Sequence, residues 1–284
     1  MERLVVTDST ADLPEDLVEK YDIKVLPVNV ILNGKTYKDG VDISRTSFYN
    51  RFDDYREMST EAIKYEDYAL QFMQMMKTYS EIIIIHCSRH LSKSYNVAVK
   101  VNEEFNGDGT CKVAVIDSGQ CSMGMGMIVL AAAVAMQQGK SFQQVISLIN
   151  RMRKNMKSYM ALPTLKYLKK NKKITGVKAL IGSAVGVKPV LEFTEDGKMA
   201  IKTKLFGKQK NMILAMIDRI KEDVAGRPIN LSIIYAGNKN LVQNLKDVFE
   251  SSFDCRNVYV ARFGPAITIN AGPESYAVFF SVYE

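Results

Sequence analysis

Three polar turns hold most of the side chains that could do chemistry in this chain. Each turn follows a short apolar run, and the turns read Asp8-Ser9-Thr10, Cys87-Ser88-Arg89 and Asp117-Ser118-Gly119. Such runs are typical of buried parallel strands, whose carboxyl ends form the edge where open α/β sheets bind ligands. Carboxylates at this edge could act as general bases or cation ligands, and hydroxyls could bind a head group. The sequence therefore predicts a ligand site there.

The sequence offers few candidate residues for nucleophilic catalysis or for metal binding. His86 and His90 are the two histidines of the chain, so a Ser-His or Cys-His pair has few candidates for its base. With Cys87 they form the tightest group of soft ligands, but on a strand and its following turn they point in divergent directions and lack a fourth partner. We expect neither a hydrolase nor a metal site, and packing is the favoured role of these side chains.

The glycines Gly124 and Gly126 open a predicted helix without indicating nucleotide binding. A dinucleotide fingerprint needs a third glycine and a downstream acid, which this segment lacks, and the chain contains no Walker A sequence. We therefore expect no cofactor.

Composition favours an ordinary globular protein, since 47% of the 284 residues are hydrophobic and 24% are charged. A chain of this length supports two domains, predicted at residues 1–160 and 161–284. The four cysteines are scattered, and we expect them to be reduced. Because residues 123–136 are too short to span a bilayer and the N-terminus lacks the form of a signal peptide, we expect a cytoplasmic protein.

The net charge of +7 is concentrated in one stretch, residues 165–190, which carries seven lysines and no acid. A cationic patch attracts nucleic acid, an anionic membrane, an acidic protein or an anionic ligand head, and charge alone does not choose between them. A solvated face without a partner is an equally ordinary interpretation. The lysines are Lys166, Lys169, Lys170, Lys172, Lys173, Lys178 and Lys188.

Hydrophobic periodicity predicts alternating strands and helices in the first half, the pattern of a parallel sheet covered by helices. The predicted strands are residues 4–7, 23–31, 82–86 and 113–116. The predicted helices are residues 14–21, 47–52, 66–78, 92–105, 123–138 and 142–160.

A second sheet is predicted after Pro163, beginning with a hairpin whose turn is Glu195-Asp196-Gly197. The predicted strands are residues 190–193, 200–205, 231–235, 258–261 and 276–282. The predicted helices are residues 164–170, 176–185, 209–224 and 240–249.

Several short motifs, in a consistent order, resemble those of the DegV family of fatty-acid-binding proteins. Residues 6–14 read V-T-D-S-T-A-D-L-P and resemble the family's D-S-T-A-D-L-P opening. Residues 91–95, 115–118 and 122–126 are similar to its L-S-G-T-Y, V-x-D-S and S-x-G-x-G elements. In the second half, the resemblance covers residues 165–170, 181–183, 187–191 and 272–273. It extends over essentially the full length.

This resemblance implies a fold and a function. The fold is α/β, with a mostly parallel N-terminal sheet, a mixed C-terminal sheet, helices on both and a ligand between them. The ligand is a long-chain fatty acid in a buried tunnel, whose carboxylate is presented to a separate fatty acid kinase. The protein itself is then a lipid carrier and not an enzyme.

The resemblance also implies the residues that hold the carboxylate. Matched position by position, the head-group hydroxyls are those of Thr60, Ser92 and Ser94. This chain has Lys93 at the turn glycine of the family and Asn270 at its histidine. Asn270 could donate through its amide and Lys93 could supply a positive charge, because both side chains are donors.

The resemblance further implies which residues form the floor of the site, and the lysine stretch suggests a partner surface. Asp8, Ser9, Asp117 and Ser118 would shape the floor beneath the head group. A basic surface would meet an acidic partner or transiently touch a membrane during delivery. Its lysines are Lys169, Lys170, Lys172 and Lys173, the last standing where the family has an arginine.

Two alternatives stay open at this point. Asp8 and Asp117 could serve an enzyme acting on a small phosphorylated or acyl substrate, although no nucleophile is paired with a base. The interpretation as a nucleic-acid-binding protein depends on the lysine stretch alone, because the sequence shows no helix-turn-helix, zinc finger or aromatic stacking platform. We therefore expect no nucleic-acid partner.

Overall fold

The computed structural model describes residues 2–107, 109, 111–171, 173, 187–206, 209–237 and 239–283. The predicted helix at residues 176–185 lies outside this part of the chain. The strands are β1 (Arg3–Asp8), β2 (Ile23–Leu26), β3 (Asn29–Leu32), β4 (Lys35–Lys38), β5 (Met58–Glu61), β6 (Glu81–His86), β7 (Lys112–Asp117), β8 (Lys157–Ala161), β9 (Val187–Phe193), β10 (Met199–Phe206), β11 (Ile229–Tyr235), β12 (Cys255–Arg262) and β13 (Tyr276–Val282). The helices are α1 (Glu15–Lys20), α2 (Arg45–Asn50), α3 (Tyr65–Thr78), α4 (Ser94–Phe105), α5 (Ser122–Gln137), α6 (Phe142–Asn155), α7 (Lys166–Lys170), α8 (Gln209–Val224), α9 (Lys239–Ser252) and α10 (Pro265–Ala271).

The first sheet has the order β2-β1-β6-β7, and its strands are all parallel. Its apolar strands are buried on both faces, as the sequence predicts. Ile83 and Ile85 of β6 pack in the same core as α5, whereas Ile82 and Ile84 pack in the core that holds α3 and α4. The sheet is therefore a middle layer between helices.

The second sheet is mixed, with the order β10-β9-β8-β13-β11-β12 and a parallel pair at β11 and β12. The parallel sheet, the mixed sheet and their helices confirm the predicted α/β class. Among the described residues, every helix is too short or too polar to traverse a lipid bilayer.

The helix predicted for residues 142–160 is wrong beyond Asn155, where α6 ends and strand β8 follows. Helical spacing continues through Met156 and Met160, but burial follows a period of two. Met160 packs in the core beside α5, while Tyr159 and Ala161 pack on the opposite face of the sheet. The boundary at residue 160 stays a prediction, and β8 pairs with β13 and β9 of the second sheet.

The single strand predicted for residues 23–31 is also wrong, because Pro27 divides it. β2 joins the first sheet, whereas β3 pairs antiparallel with β4 and β5 in a small third sheet. Proline has no N–H for a ladder hydrogen bond and fixes φ, so the chain changes sheet there. The strands β4 and β5 and the helix α10 were not predicted from the sequence, although β5 and α10 hold two candidate site residues, Thr60 and Asn270.

Helix α5 is buried over nearly all its length between the two sheets. It contacts β1 and β6 on one side and β11 and β13 on the other. A helix that is apolar all round is expected in such a position. The approach is close at Gly124, where a Cβ would lie 2.5 Å from Cδ1 of Phe279 in β13.

We expect Gly124→Ala to lower the free energy of unfolding by about 1–3 kcal/mol, although alanine normally favours a helix. The added methyl group must displace Phe279, whose side chain is fully buried. Gly107→Ala is the matched control, because a Cβ there meets no atom within 4 Å. Denaturant unfolding of the two variants checks this, and equal stabilities would contradict the close packing of α5 on β13.

Candidate functional site

A cavity of about 470 Å³ lies at the carboxyl edge of the first sheet, facing the second sheet. Both halves of the chain line it: Cys87 follows β6 of the first sheet, Cys121 precedes α5, and Met160 and Phe279 come from the second sheet. The wall is mostly apolar, and its other large apolar side chains are Val28, Leu91, Leu162, Leu168, Met199, Phe263 and Ile267. Such a wall favours an apolar ligand.

Thr60, Ser92, Lys93, Asn270 and Lys173 also line this cavity, so the structure brings together head-group candidates from distant parts of the sequence. They belong to β5, the turn before α4, α10 and the segment after α7. We call these five residues the polar wall. Lys93, Lys173, Asn270 and the exposed Glu61 are the charged and amide-bearing residues of the lining, whereas Thr60 and Ser92 contribute hydroxyl groups, as Thr10 and Ser122 do elsewhere in the lining.

One hydrogen bond joins two members of the polar wall. Asn270 donates through Nδ2 to Thr60 Oγ1 at 3.2 Å and to the Ala266 carbonyl at 2.8 Å. Both amide hydrogens are therefore used within the protein. Asn270 Oδ1 is buried and has no hydrogen-bond partner among the described residues. Because Thr60 Oγ1 accepts a hydrogen bond from Asn270, its own O–H can donate to a ligand.

Ser94 lies behind Ser92 and does not itself line the cavity. Its backbone N–H donates to Ser92 Oγ at 3.2 Å, and the Ser92 hydroxyl donates to Ser94 Oγ at 3.1 Å. Ser94 is fully buried as the first residue of α4. It therefore fixes the position of the Ser92 hydroxyl and makes no contact with the cavity.

Two ammonium groups give the polar wall a positive charge. Lys173 donates a hydrogen bond to the Leu91 carbonyl. Burial lowers the pKa of Lys173, Cys87 partly opposes this, and the neighbouring charge of Lys93 lowers the pKa further. An anionic group placed between these lysines would relieve their repulsion.

Asp8 is absent from the cavity lining and takes part in a buried network beneath it. Its Oδ1 accepts hydrogen bonds from the backbone and hydroxyl of Thr10, which does line the cavity. Its Oδ2 lies 2.6 Å from Nδ1 of His86, whose Nε2 lies 2.8 Å from the Tyr68 hydroxyl. Asp8 is therefore joined to the cavity lining by its hydrogen bonds to Thr10.

The other predicted floor residues also stabilise backbone and do not line the cavity. Ser9 Oγ accepts a hydrogen bond from the backbone N–H of Val28 at 3.1 Å. Ser118 closes its own turn by bonding both backbone groups of Gln120. Asp117 is almost fully buried and pairs with Nε of Arg89 at 2.6 Å. The strand-end aspartates considered as general bases thus already have partners.

Thr10, Cys87 and Cys121 also line the cavity and were not predicted as site residues, although Thr10 and Cys87 belong to the polar turns at the strand ends. All four cysteines are free thiols. Burial raises the pKa of both Cys87 and Cys121 well above its ordinary range. Among the described residues, no cluster of His, Cys, Asp and Glu could hold a metal ion.

The hairpin of β9 and β10 is seated on the carboxyl edge of the first sheet. Ser88 donates through Oγ to the Gly197 carbonyl at 2.6 Å. The backbones approach so closely that a Cβ on Gly197 would lie 2.9 Å from the Cα of Gly119. This contact brings Met199, two residues beyond the turn, into the cavity wall.

The predicted partner lysines lie on and after α7, beside the cavity. Leu168 of this helix faces the cavity, whereas Lys169 and Lys170 are exposed. Lys170 donates to the Arg56 carbonyl at 3.0 Å. Lys172 lies outside the described residues, and Lys173 belongs to the polar wall.

Comparisons with known proteins agree over the whole chain. A family model described as an uncharacterised protein of the DegV family matches residues 3–282. A DegV domain-containing protein of Caldanaerobacter subterraneus subsp. tengcongensis is 30% identical, with 99% of both chains covered. A Thermus thermophilus DegV family structure, described by its fatty acid binding, is 27% identical at a TM-score of 0.91 and full coverage of both chains. Bacillus subtilis DegV, described as a fatty acid binding protein, shares the fold at 23% identity, a TM-score of 0.90 and full coverage of both chains.

Proposed function

This chain belongs to the DegV family, and we propose that it binds a long-chain fatty acid in the cavity between its first and second sheets. The observation that carries the proposal is the cavity itself, which is apolar along most of its wall and has hydroxyl and ammonium groups on one part. The described binding of fatty acid by the Thermus thermophilus relative supports it. We assign no catalytic role and no cofactor to the chain.

The apolar wall supplies most of the affinity. Burying an acyl chain contributes about 0.8 kcal/mol for each methylene group before the entropy of association is subtracted. Tight binding therefore needs few polar contacts, and the polar wall mainly sets the orientation of the ligand. A buried carboxylate still needs donors, because an ionised group without partners is strongly unfavourable in an apolar cavity.

Thr60 is the first proposed donor to the carboxylate, and Ser92, whose hydroxyl donates to Ser94 Oγ, would turn that O–H toward the carboxylate and become the second donor. Asn270 was expected to donate directly, but its two amide hydrogens are already bonded to Thr60 and Ala266. In this proposal Asn270 is a positioning residue that occupies a lone pair of Thr60 and leaves the Thr60 hydrogen for the ligand. Lys93 and Lys173 contribute positive charge, and Ser94 holds Ser92 in place.

The proposed role of the complex is to present the carboxylate to a fatty acid kinase. Lys169 and Lys170 form an exposed basic surface beside the cavity, and this surface suits an acidic partner. Transient contact with an anionic membrane surface during loading would use the same charge. In the floor, Asp8, Ser9 and Ser118 support residues or turns at the cavity without touching the ligand.

We expect Thr60→Val to weaken binding of a long-chain fatty acid by about 10- to 100-fold, because a hydrogen bond to a charged group is worth about 1.5–3 kcal/mol. Thr60→Ser keeps the hydroxyl and is the matched control, with an affinity near that of the wild type. Titration with a fluorescent fatty acid checks this. Equal affinities of the valine and serine variants would contradict a role for the Thr60 hydroxyl in binding the head group.

We expect Lys169→Glu to slow formation of acyl phosphate by a fatty acid kinase roughly tenfold at low ionic strength, and less at high salt. Fatty acid affinity should not change, because Lys169 does not line the cavity. Lys140→Glu is the control: this exposed lysine follows α5 at the opposite edge of the sheet. Equal rates for the two variants would contradict a partner surface at α7.

A further inference from the structure

Two buried aspartates meet the start of α10, outside the cavity lining. Asp12 is 1% exposed and Asp39 is 4% exposed. The Asp12 carboxylate accepts hydrogen bonds from the Gly264 backbone N–H at 2.7 Å and from the Ser122 hydroxyl at 2.6 Å. It thereby joins the first turn of the N-terminal half and the start of α5 to the residue that precedes α10.

Asp39 approaches the same helix end with an incomplete set of partners. The Ser9 hydroxyl and the backbone of Ala266 stabilise its anionic form. Its Oδ2 is nevertheless buried without a hydrogen-bond partner among the described residues. A Cβ on Gly264 would lie 2.9 Å from Asp12 Oδ1 and 3.7 Å from Asp39 Oδ2, so both carboxyl groups border one small space.

The charges around this pair do not balance when both carboxyl groups are ionised. Arg45 is the cation that stabilises the anionic form of both aspartates, which leaves one excess negative charge in a buried site. The other ionisable groups that act on the pair or lie against them are Asp8, Tyr49, Cys121 and Arg262. Asp8 is already paired with His86, and Arg262 lies over the Tyr49 ring at 3.6 Å. One bound proton would balance the remaining charge.

The pKa values agree with this count. Burial raises the pKa of Asp12 to about 6, with Arg45 and two hydrogen bonds opposing the shift. Burial and then the charge of Asp12 raise the pKa of Asp39 to about 7. An aspartate in water has a pKa near 3.9, so protonation favours the arrangement in which these side chains are buried.

Helix α10 connects this pair to the cavity. Its residues Ala266, Ile267, Asn270 and Ala271 line the cavity, and Asn270 bonds Thr60. The start of the helix thus rests on Asp12 and Asp39, while its last turn forms part of the polar wall. Movement of the helix away from the aspartates would open the wall and let water reach both carboxyl groups.

We propose that Asp12 and Asp39 form a proton-dependent clasp that holds α10 against the cavity, closed when a proton is bound and released more readily when both groups are ionised. Its effect on the ligand rests on the proposed function of fatty acid binding. The direction is fixed by the linkage: opening hydrates the carboxyl groups and releases the proton, so opening is favoured as the pH rises from 5.5 to 8.

Hydrogen exchange of the ligand-free protein tests the clasp without relying on lipid. After correction for intrinsic exchange at each pH, α10 amides should open at least about tenfold more often at pH 8 than at pH 5.5, since one unit of pKa shift corresponds to tenfold. Amides of Ile82–Ile85 in β6 serve as the internal reference. A wild-type α10 whose opening, relative to this reference, is the same at both pH values would overturn the clasp.

Asp39→Asn should reduce that tenfold ratio to about threefold or less, because the amide keeps the shape and removes the titration. Asp12→Asn is the second variant, since Asp12 has a φ of 54° and asparagine tolerates this left-handed backbone. Asp16→Asn, which removes an exposed acid, should leave the ratio unchanged. If α10 still opened tenfold more often at pH 8 than at pH 5.5 in both Asp39→Asn and Asp12→Asn, the clasp would also be overturned.

The dissociation rate of a fluorescent fatty acid supplies the second readout and should rise with pH in step with α10 opening. Absence of fatty acid binding at every pH, with the α10 ratio intact, would remove the proposed function and leave the clasp standing. A fatty acid dissociation rate that does not change with pH while α10 opening does would show that the helix does not control release of the ligand.

Discussion

Burial of α5 between two sheets is the interaction on which the rest of the structure depends. The helix carries almost no polar side chain along its length, so it needs apolar partners on every side. It finds β1 and β6 in one sheet and β11 and β13 in the other. One continuous core therefore spans both sheets, and the cavity is a gap in this core at the start of the helix, beside Cys121 and Ser122.

Around that gap, the buried polar groups are arranged so that most have partners. Asp8 has His86 and Thr10, and Asp117 has Arg89. Three exceptions lie close to the cavity or to the helix that covers it: Asn270 Oδ1, Asp39 Oδ2 and Oε1 of Gln120, the residue before Cys121, have no partner among the described residues. Incomplete pairing is unfavourable, and such positions are where a protein is expected to bind, move or titrate.

Local periodicity allowed much of the fold to be predicted from the sequence. The bounds of α8 and β13 match their predictions, because both segments keep one period throughout. The errors at Pro27 and at residues 156–160 arose where one apolar run serves two elements. Helix α10 was missed because it is short and flanked by glycine and proline.

The candidate site could be predicted only in part, and its members came from the family resemblance. Thr60, Ser92 and Asn270 were named in this way and do share one cavity wall. The bond between Thr60 and Asn270 joins residues 210 positions apart, and no local pattern predicts such a contact. Asp12 and Asp39 were not singled out, because an aspartate in a turn is ordinary until its burial is known.

Native mass spectrometry of the protein, purified without added lipid, tests the central claim most directly. The account predicts a complex heavier than the chain by one fatty acid, which appears in the organic extract after denaturation. A folded protein that carries no lipid and takes up none when fatty acid is added would contradict it.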